Sequence, residues 1–593
     1  MKVSLSWLQD YLSINLPVPK LAEKMTDLGL ECTYESSGIS FSNIVLGSII
    51  SCKPHPNSDH LSVCEVDIGE NDLSTIVCGA PNVRSNIKVP VAKIGATLDN
   101  GNFKIKKTKL RGVTSSGMIC SGKEINYNND HDGILVIVSD EPLGSSIENV
   151  LNFEKETIFD IDLTPNRGDC FSHKGIAREI SIFEESNFKP KNVEISSVNK
   201  KIDEMINLKN IDTNGCPRYT TRVISNVKIG PSPNWLVKRL QSIGQKSINN
   251  IVDAANYILM DTGHPMHTFD YDKINGEEIN VRYANNDEKI VTLDNIERNL
   301  KDFHLLICDA KKPIALAGIM GGLNTSVTDS TTNILIECAY FEPTVIRKGS
   351  KYLDLSTDAS KRFERDIDID STISSLNQLT SLIQSVAGGQ IIDGVIDFYP
   401  NHKKIKQIHF NLDKCNAFLG TDLAVSDSLE IFEKLFIKTE IQSETILCTI
   451  PSYRNDIDRE VDLFEEIARV FGYNNIPSSL NYYGSYTSFT NDERYFDDKL
   501  RQFVSSNGFH EHYSNSLNNI QDIDFSPKLL PVAVSNPLNQ EMSYLRNSLV
   551  PGLLKAISYN ENRQKSYFKL YEIGAIHTQQ INSPTKTNES FNI

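Results

Sequence analysis

The sequence predicts a multidomain α+β protein, and three observations carry that prediction. A chain of 593 residues is too long for one hydrophobic core and divides into several domains. From Ile44 to Val138 it runs in short β-type stretches separated by turn residues. From Asn401 to Pro477, strand-like and helix-like periods alternate as in one compact α/β unit.

Composition narrows the class. With 39% hydrophobic and 23% charged residues the chain reads as soluble and globular. The opening, Met1 to Asp10, reaches an acid before any apolar stretch develops, and no later apolar run is long enough for a bilayer, so a cytoplasmic protein with no membrane contact is expected. The 11 cysteines never form a C-x-x-C pair, which argues against zinc ribbons and a disulfide framework. A net charge of −16 excludes blanket nucleic-acid binding, so any such contact needs a local basic patch.

The β-rich stretch supplies one. Its runs are Ile44–Ile50, Leu61–Ile68, Ser74–Cys78, Lys88–Ala92, Phe103–Lys107 and Ile134–Val138, a pattern that suggests a small Greek-key barrel of the OB type. Between Asn86 and Lys123 the charged residues are Lys88, Lys93, Lys104, Lys106, Lys107, Lys109, Arg111 and Lys123 against the single acid Asp99. Alternation of Phe103 and Ile105 with Lys104 and Lys106 predicts lysines on one sheet face, placed to follow phosphates. A barrel edge kept soluble by lysine gives the same pattern.

The segment Pro451 to Pro477 joins helical apolar spacing to a crowd of carboxylates. Val461, Phe464, Ile467 or Ala468, and Phe471 recur every three to four residues and predict a helix with one face inward. Asp462, Glu465 and Glu466 then share a neighbouring face, with Asp456 just before the helix, a set suited to one hard cation such as magnesium. An acidic helix start, favoured by the macrodipole and offset by Arg454 and Arg459, explains the same charges without a metal.

A third region combines a histidine with a buried acid. Gly263-His-Pro-Met-His-Thr-Phe-Asp270 is turn-rich and sets His267 between apolar neighbours. Asn333 to Phe341 reads as a buried strand carrying Glu337, whose charge needs a partner; Arg362 is one candidate. Leu355 to Arg365 predicts a helix start capped by Ser356, Thr357 or Asp358. The glycines of Ala317-Gly-Ile-Met-Gly-Gly322 permit close backbone approach to a ligand. His267 on its own reads first as a satisfied structural histidine.

These segments carry a resemblance. His55-Pro-Asn-Ser-Asp-His-Leu61, Val77-Cys-Gly-Ala-Pro-Asn-Val83 and Leu110 to Ser121 resemble the tRNA-binding OB module of several synthetase-associated proteins. With Trp7-Leu-Gln-Asp-Tyr-Leu12 before it and Asp160 to Glu179 after it, the chain resembles the beta subunit of bacterial-type phenylalanine-tRNA ligases over essentially its whole length. The resemblance implies an N-terminal α/β region (1–39 and 152–200) interrupted by the OB tRNA-binding barrel (40–151). An editing domain (205–400), a DNA-binding-like α/β domain (401–477) and an incomplete, degenerate class II synthetase core (478–593) follow. It implies hydrolysis of tyrosine wrongly attached to tRNA(Phe), since a pocket shaped for phenylalanine rejects one added hydroxyl by only about a hundredfold. Glu337 would accept the tyrosine hydroxyl, His267 would position the aminoacyl end or the water, and Thr357, Ala359 and the Gly318 and Gly321 backbone would shape the pocket. It further implies Mg2+ at Asp456, Asp462, Glu465 and Glu466, and tRNA contact by Lys104, Lys106, Lys107, Lys109 and Arg111. An alpha subunit would use ATP to attach phenylalanine, in a heterotetramer of two alpha and two beta chains.

The resemblance has one departure. Family members continue through the synthetase core to an anticodon-binding domain, whereas this sequence stops at Ile593, as a fragment or a reduced subunit would. Two other classes fit parts of the chain: a free-standing aminoacyl-tRNA editing hydrolase, and a non-enzymatic nucleic-acid-binding protein.

Overall fold

Lys2–Ser4, Glu156–Ile161 and Cys32–Ser37 form a three-stranded antiparallel sheet with Glu156–Ile161 in the middle. The chain leaves this sheet at one edge strand, builds a barrel, and returns as the central strand, with Glu156 opposite Ser37. In this computed structural model the described residues are 1–37, 43–98, 103–125, 132–151, 156–184, 186–478, 484, 494–523 and 530–593. Asp99 and the expected boundaries at 39/40 and 151/152 lie outside them. The chain forms two compact units, residues 1–478 and 479–593.

The barrel-like element is a five-stranded sheet in the order Gly117–Ile119, Lys88–Lys93, Ile44–Pro54, Ser62–Asp67, Ser74–Cys78. Its ends meet where the Ser116 N–H donates to the Thr75 carbonyl at 2.9 Å. Ile49, Cys64, Val66, Ile76, Val89 and Val91 fill it. Two expected strands differ. Ile134–Val138 contributes only a bridge from Ile137 to Lys88. The run Phe103–Lys107 pairs only at Phe103–Lys104, because Ile105 turns inward and bonds Gly95 and Ala96 through its backbone.

The central region stacks two sheets around one core. In the first, Ile334–Tyr340 lies between Arg218–Ser225 and Met266–Asp270, with the helices Asn250–Thr262 and Thr372–Ala387 behind it. All seven residues of Ile334–Tyr340 are buried, as its near-continuous apolar run predicts. The second sheet contains Asn207–Ile211, Glu278–Tyr283, Leu305–Cys308, Pro313–Leu316 and Met320–Gly321. Phe269, Val281, Leu306, Leu316 and Leu335 belong to the core they share.

Residues 407–471 form the α/β unit expected from the alternating periods. Gln407–Phe410, Thr445–Thr449 and Lys438–Gln442 make a sheet covered by the helices Leu412–Leu419, Val425–Lys434 and Glu460–Phe471. In the second unit, Arg546 and Glu572 form a buried ion pair that also engages Ser514. A hairpin of Gly574–Gln579 and Thr587–Asn592 follows. All 11 cysteines are unpaired. Among the described residues, no helix is long and apolar enough to cross a membrane.

Candidate functional site

The sheet register places His267 directly opposite Glu337, and Glu337 opposite Thr221. A polar row of three residues thus crosses a sheet face whose next row is Val223, Leu335 and Phe269. His267, Glu337, Thr357, Ala359, Gly318 and Gly321 all line one cavity of about 270 Å³. Sequence reasoning missed Asn256 and Leu259, which enter from the helix Asn250–Thr262, and Thr221, which lies beside Glu337 in the register, outside the cavity lining, and donates to the Ile336 carbonyl at 2.8 Å. A polar residue in a buried strand was the available signal for Thr221.

Local chemistry explains how each wall is set. Thr357 caps the helix Asp358–Phe363: its Oγ1 accepts the Ser360 N–H at 3.0 Å and donates to the Ile319 carbonyl at 2.8 Å. One hydroxyl therefore ties the helix start to the glycine loop. Gly318 takes φ +66°, and a Cβ at Gly321 would stand 2.4 Å from His267 Cε1, so the loop closes on the histidine only with hydrogen at that position.

Electrostatics separate this pair from ordinary core polar groups. Glu337 is 5% exposed, and burial alone pushes its carboxyl up to about 8. No cation or hydrogen-bond donor among the described residues meets it. Arg362, the partner considered from sequence, bonds the Phe171 and Asp358 carbonyls instead. Burial pushes His267 down to about 4, and its Nε2 is buried without a partner. Three residues earlier, His264 is the satisfied histidine of the motif, held by Ser371 Oγ and the Ala339 carbonyl. Both site groups are therefore neutral around pH 7 and have hydrogen-bonding capacity left for a ligand.

The basic residues lie elsewhere. Lys104, Lys106, Lys107, Lys109 and Arg111 are all exposed on a loop and a short hairpin rather than along one regular strand face. Arg111 adopts φ +45° where the hairpin turns. The hairpin is pinned to the His55–Asn57 turn: His55 Nε2 lies 3.2 Å from the Leu110 carbonyl and Asn57 Nδ2 donates to the Arg111 carbonyl at 3.0 Å. Lys104, Lys106 and Lys123 border a groove of about 1080 Å³ together with Phe103 and Met118.

The four acids of the 456–466 segment do not converge. Asp456 takes both of its bonds from Arg454, at 2.9 Å each. Glu466 is 3% exposed and is gripped by Arg454 and Arg469 at 2.6 to 2.9 Å. Asp462 accepts the Asp458 and Arg459 N–H groups as a helix cap, and Glu465 is exposed. The expected common acidic face fails because Leu463 and Ile467 flank Glu466 and carry it inward. The donor set suits a hard cation, but three of its members are engaged by a guanidinium: Asp456 by Arg454, Glu466 by Arg454 and Arg469, and Asp462 by Arg459 at 3.0 Å. Among the described residues, the group of three potential metal ligands whose atoms all lie within 4.8 Å of one another is Asp169, Cys170 and Glu179, and arginines already pair both of those acids. This cluster continues the same network: Arg469 bonds Glu179 at 2.7 Å, and Arg167 bonds Glu179 and Asp169.

Comparison with known proteins agrees with this layout. Residues 44–146 match the putative tRNA binding domain, 215–388 the B3/4 domain, 408–473 the tRNA synthetase B5 domain, and 476–592 the phenylalanyl tRNA synthetase beta chain CLM domain. Together they define a subunit of an aminoacyl-tRNA synthetase. The phenylalanine–tRNA ligase beta subunit of Protochlamydia amoebophila is 40% identical over 97% of this chain and 73% of its own length, and that of Geobacter metallireducens is 40% identical over the same shares. The one from Bacillus cereus is 38% identical, again over 97% and 73%. The chain belongs to the phenylalanine–tRNA ligase beta subunit family. Among solved structures, an N-terminal fragment of the Pyrococcus horikoshii phenylalanyl-tRNA synthetase beta subunit is similar with 18% identity and a TM-score of 0.30, covering 54% of this chain and 87% of that one.

Proposed function

We propose that the chain acts in the cytoplasm with an alpha subunit, in a complex of two alpha and two beta chains, to attach phenylalanine to tRNA(Phe) at the expense of ATP. In this reading the alpha subunit carries the ATP chemistry, and this chain binds tRNA and hydrolyses tyrosyl-tRNA(Phe). The domain limits 1–39 with 152–200, 40–151, 205–400, 401–477 and 478–593 are part of the proposal. Lys104, Lys106, Lys107, Lys109 and Arg111 meet phosphates.

The observation that carries the editing assignment is one cavity containing a carboxyl and an imidazole nitrogen, both buried and both without partners among the described residues. A protonated Glu337 keeps a carbonyl oxygen to accept the tyrosine hydroxyl and a proton to donate to it. Phenylalanine would leave that group unpaired, which costs about 1–3 kcal/mol and favours tyrosine. His267, neutral at pH 7, receives a hydrogen bond from water at Nε2 and so orients it. The water oxygen attacks the ester carbonyl carbon, the bond to the ribose oxygen breaks, and the ribose hydroxyl leaves with the proton. Thr357 and Ala359 fix the wall against which the tyrosyl group lies.

Mg2+ at Asp456, Asp462, Glu465 and Glu466 is a separate proposal for the assembled complex. A divalent ion there would share Asp456, Asp462 and Glu466 with the arginines that pair them, and the exposed Glu465 is the acid open to ligate it. Magnesium-dependent protection of that segment from hydrogen exchange, in the complex and lost in Glu465→Ala, tests it.

Hydrolysis of tyrosyl-tRNA(Phe) by the chain alone and with the alpha subunit tests the editing reading. Activity in the mixture, abolished by Glu337→Ala and His267→Ala, is expected. Activity in the chain alone would instead make it a self-sufficient hydrolase. No activity despite association with alpha would leave a tRNA-binding, structural subunit.

A further inference from the structure

The segment Asp160 to Glu179 has no part in the chemistry above, yet its turn Phe171–His173 touches both helices that wall the cavity. Asn256 and Leu259 line the cavity from the helix Asn250–Thr262, and Thr357, Asp358 and Ala359 line it from the start of the helix Asp358–Phe363. Arg362, 2% exposed, belongs to the second of these helices and bonds the turn and the first helix. Its Nε–H donates to the Phe171 carbonyl at 3.1 Å, one terminal nitrogen to the Asp358 carbonyl at 2.9 Å, and the other to Met260 Sδ at 3.1 Å. The guanidinium also lies 4.6 Å over the Phe171 ring. A second tie runs parallel: His173 Nε2 accepts the Ser4 N–H, which leaves Nδ1 protonated to donate to the Met260 carbonyl at 2.8 Å.

A cation in this place is expensive. Its nearest carboxylate, Asp358, is 3.6 Å away and 45% exposed, and burial pulls the guanidinium down to about 10. A methionine or leucine would fill the volume without the desolvation cost. What no apolar side chain reproduces is a rigid fork that holds the Asp358 carbonyl of its own helix and reaches acceptors on two other segments at once.

We propose that Arg362 is a positioning residue of the editing cavity, setting its width by keying both wall helices to the Phe171–His173 turn. The proposal rests on the editing reading of that cavity. Loss of the fork frees the Asp358–Phe363 helix to drift from Asn256 and Leu259, so a tyrosyl ester binds but is held off the attacking water. The N-terminal region is then part of the hydrolytic apparatus although it contributes no group to the cavity.

The test uses the complex with the alpha subunit and compares Arg362→Met, Arg362→Lys and Phe171→Leu. Deacylation kcat and KM, phenylalanine attachment, and hydrogen exchange are measured on each. Arg362→Met is expected to lower deacylation kcat by about 10- to 100-fold with little change in KM. Attachment stays intact, and exchange quickens in residues 256–262 and 358–363 together. Arg362→Lys, which keeps the charge and loses the fork, falls nearly as far. Phe171→Leu, which keeps the carbonyl acceptor, loses little. Unchanged kcat in Arg362→Met, or deacylation and attachment falling in proportion, would overturn the proposal. If the unmodified complex does not deacylate, the editing reading fails by itself and exchange decides the clamp: unaltered exchange in either helix of Arg362→Met rules it out, and joint quickening upholds it.

Discussion

Glu337 and Glu466 are both buried glutamates, 5% and 3% exposed, and the fold drives them in opposite directions. Around Glu337 burial acts unopposed and the carboxyl stays protonated up to about pH 8. Around Glu466 burial also pushes upward, but Arg454 and Arg469 outweigh it and hold the carboxyl well below the usual range. Among the described residues one acid has no bonding partner, and the other is bonded on both oxygens. The difference distinguishes a site from a scaffold: unmet hydrogen-bonding capacity in a cavity is available to a ligand, whereas a fully paired network uses its capacity to hold domains together.

The largest effect that sharpens this contrast is expected at the scaffold. Glu466→Gln leaves Arg454 and Arg469 buried with half their counter-charge and should destabilise the first unit by about 3–5 kcal/mol, read from urea unfolding. A loss below about 1 kcal/mol would show that the network is dispensable and erase the distinction.

Glu337→Gln is expected to act with the opposite sign. The folded-state value of Glu337 is raised from 4.5 to about 8, so its share of stability is intact below pH 4.5 and drains away as pH climbs toward 8, while the unfolded chain ionises. The drain is about 1.4 kcal/mol per pH unit across that window. Glu337→Gln removes it and should leave the protein a few kcal/mol more stable than the unmodified chain at pH 8, with near parity at pH 4.5. His267 works from the other side: its value is lowered from 6.5 to about 4, so its share is complete above pH 6.5 and is lost as pH falls toward 4. Urea midpoints for Glu337→Gln that run parallel to the unmodified chain from pH 5 to 8 would mean that the carboxyl has a partner after all.

Gly321→Ala probes the closeness of loop and histidine. The new methyl would stand 2.6 Å from His267 Nε2, so we expect about 1–3 kcal/mol of lost stability together with loss of deacylation. Retained deacylation would place the water elsewhere. The smallest effect on stability, within about 0.5 kcal/mol, is expected for Lys106→Ala combined with Lys107→Ala. That pair should instead reduce the salt dependence of tRNA binding by about one to two units of log–log slope. An unaltered slope would move the RNA surface off this hairpin.

Much of the cavity was legible in the sequence because its signals are local. An acid inside an apolar run marks Glu337 in its strand, a cluster of capping residues marks the helix start that Thr357 caps, and spaced glycines mark the loop. Register is a pairing property, so the juxtaposition of His267 with Glu337 was not legible, nor was Thr221 beside Glu337. Glu466 shows the limit most plainly. Helical spacing allowed an acidic face, but its inward turn depends on Arg469 at i+3 and on Arg454 before the helix, and the network closes through Glu179, 290 residues from Arg469. The barrel was recognisable from its short strands, whereas Ile105 broke the expected lysine face because it was needed in the core.

Glu156 faces Ser37 in an antiparallel register, so everything between them is topologically the loop of one hairpin. Closing such a loop costs only about 0.6 kcal/mol more for each doubling of its length. The N-terminal sheet can therefore tolerate a folded module, a shorter one or a plain turn at this position, provided the two strands still meet. The barrel is in topology an insertion, and joining the two strands by a short turn in its place is expected to leave the sheet that carries it intact.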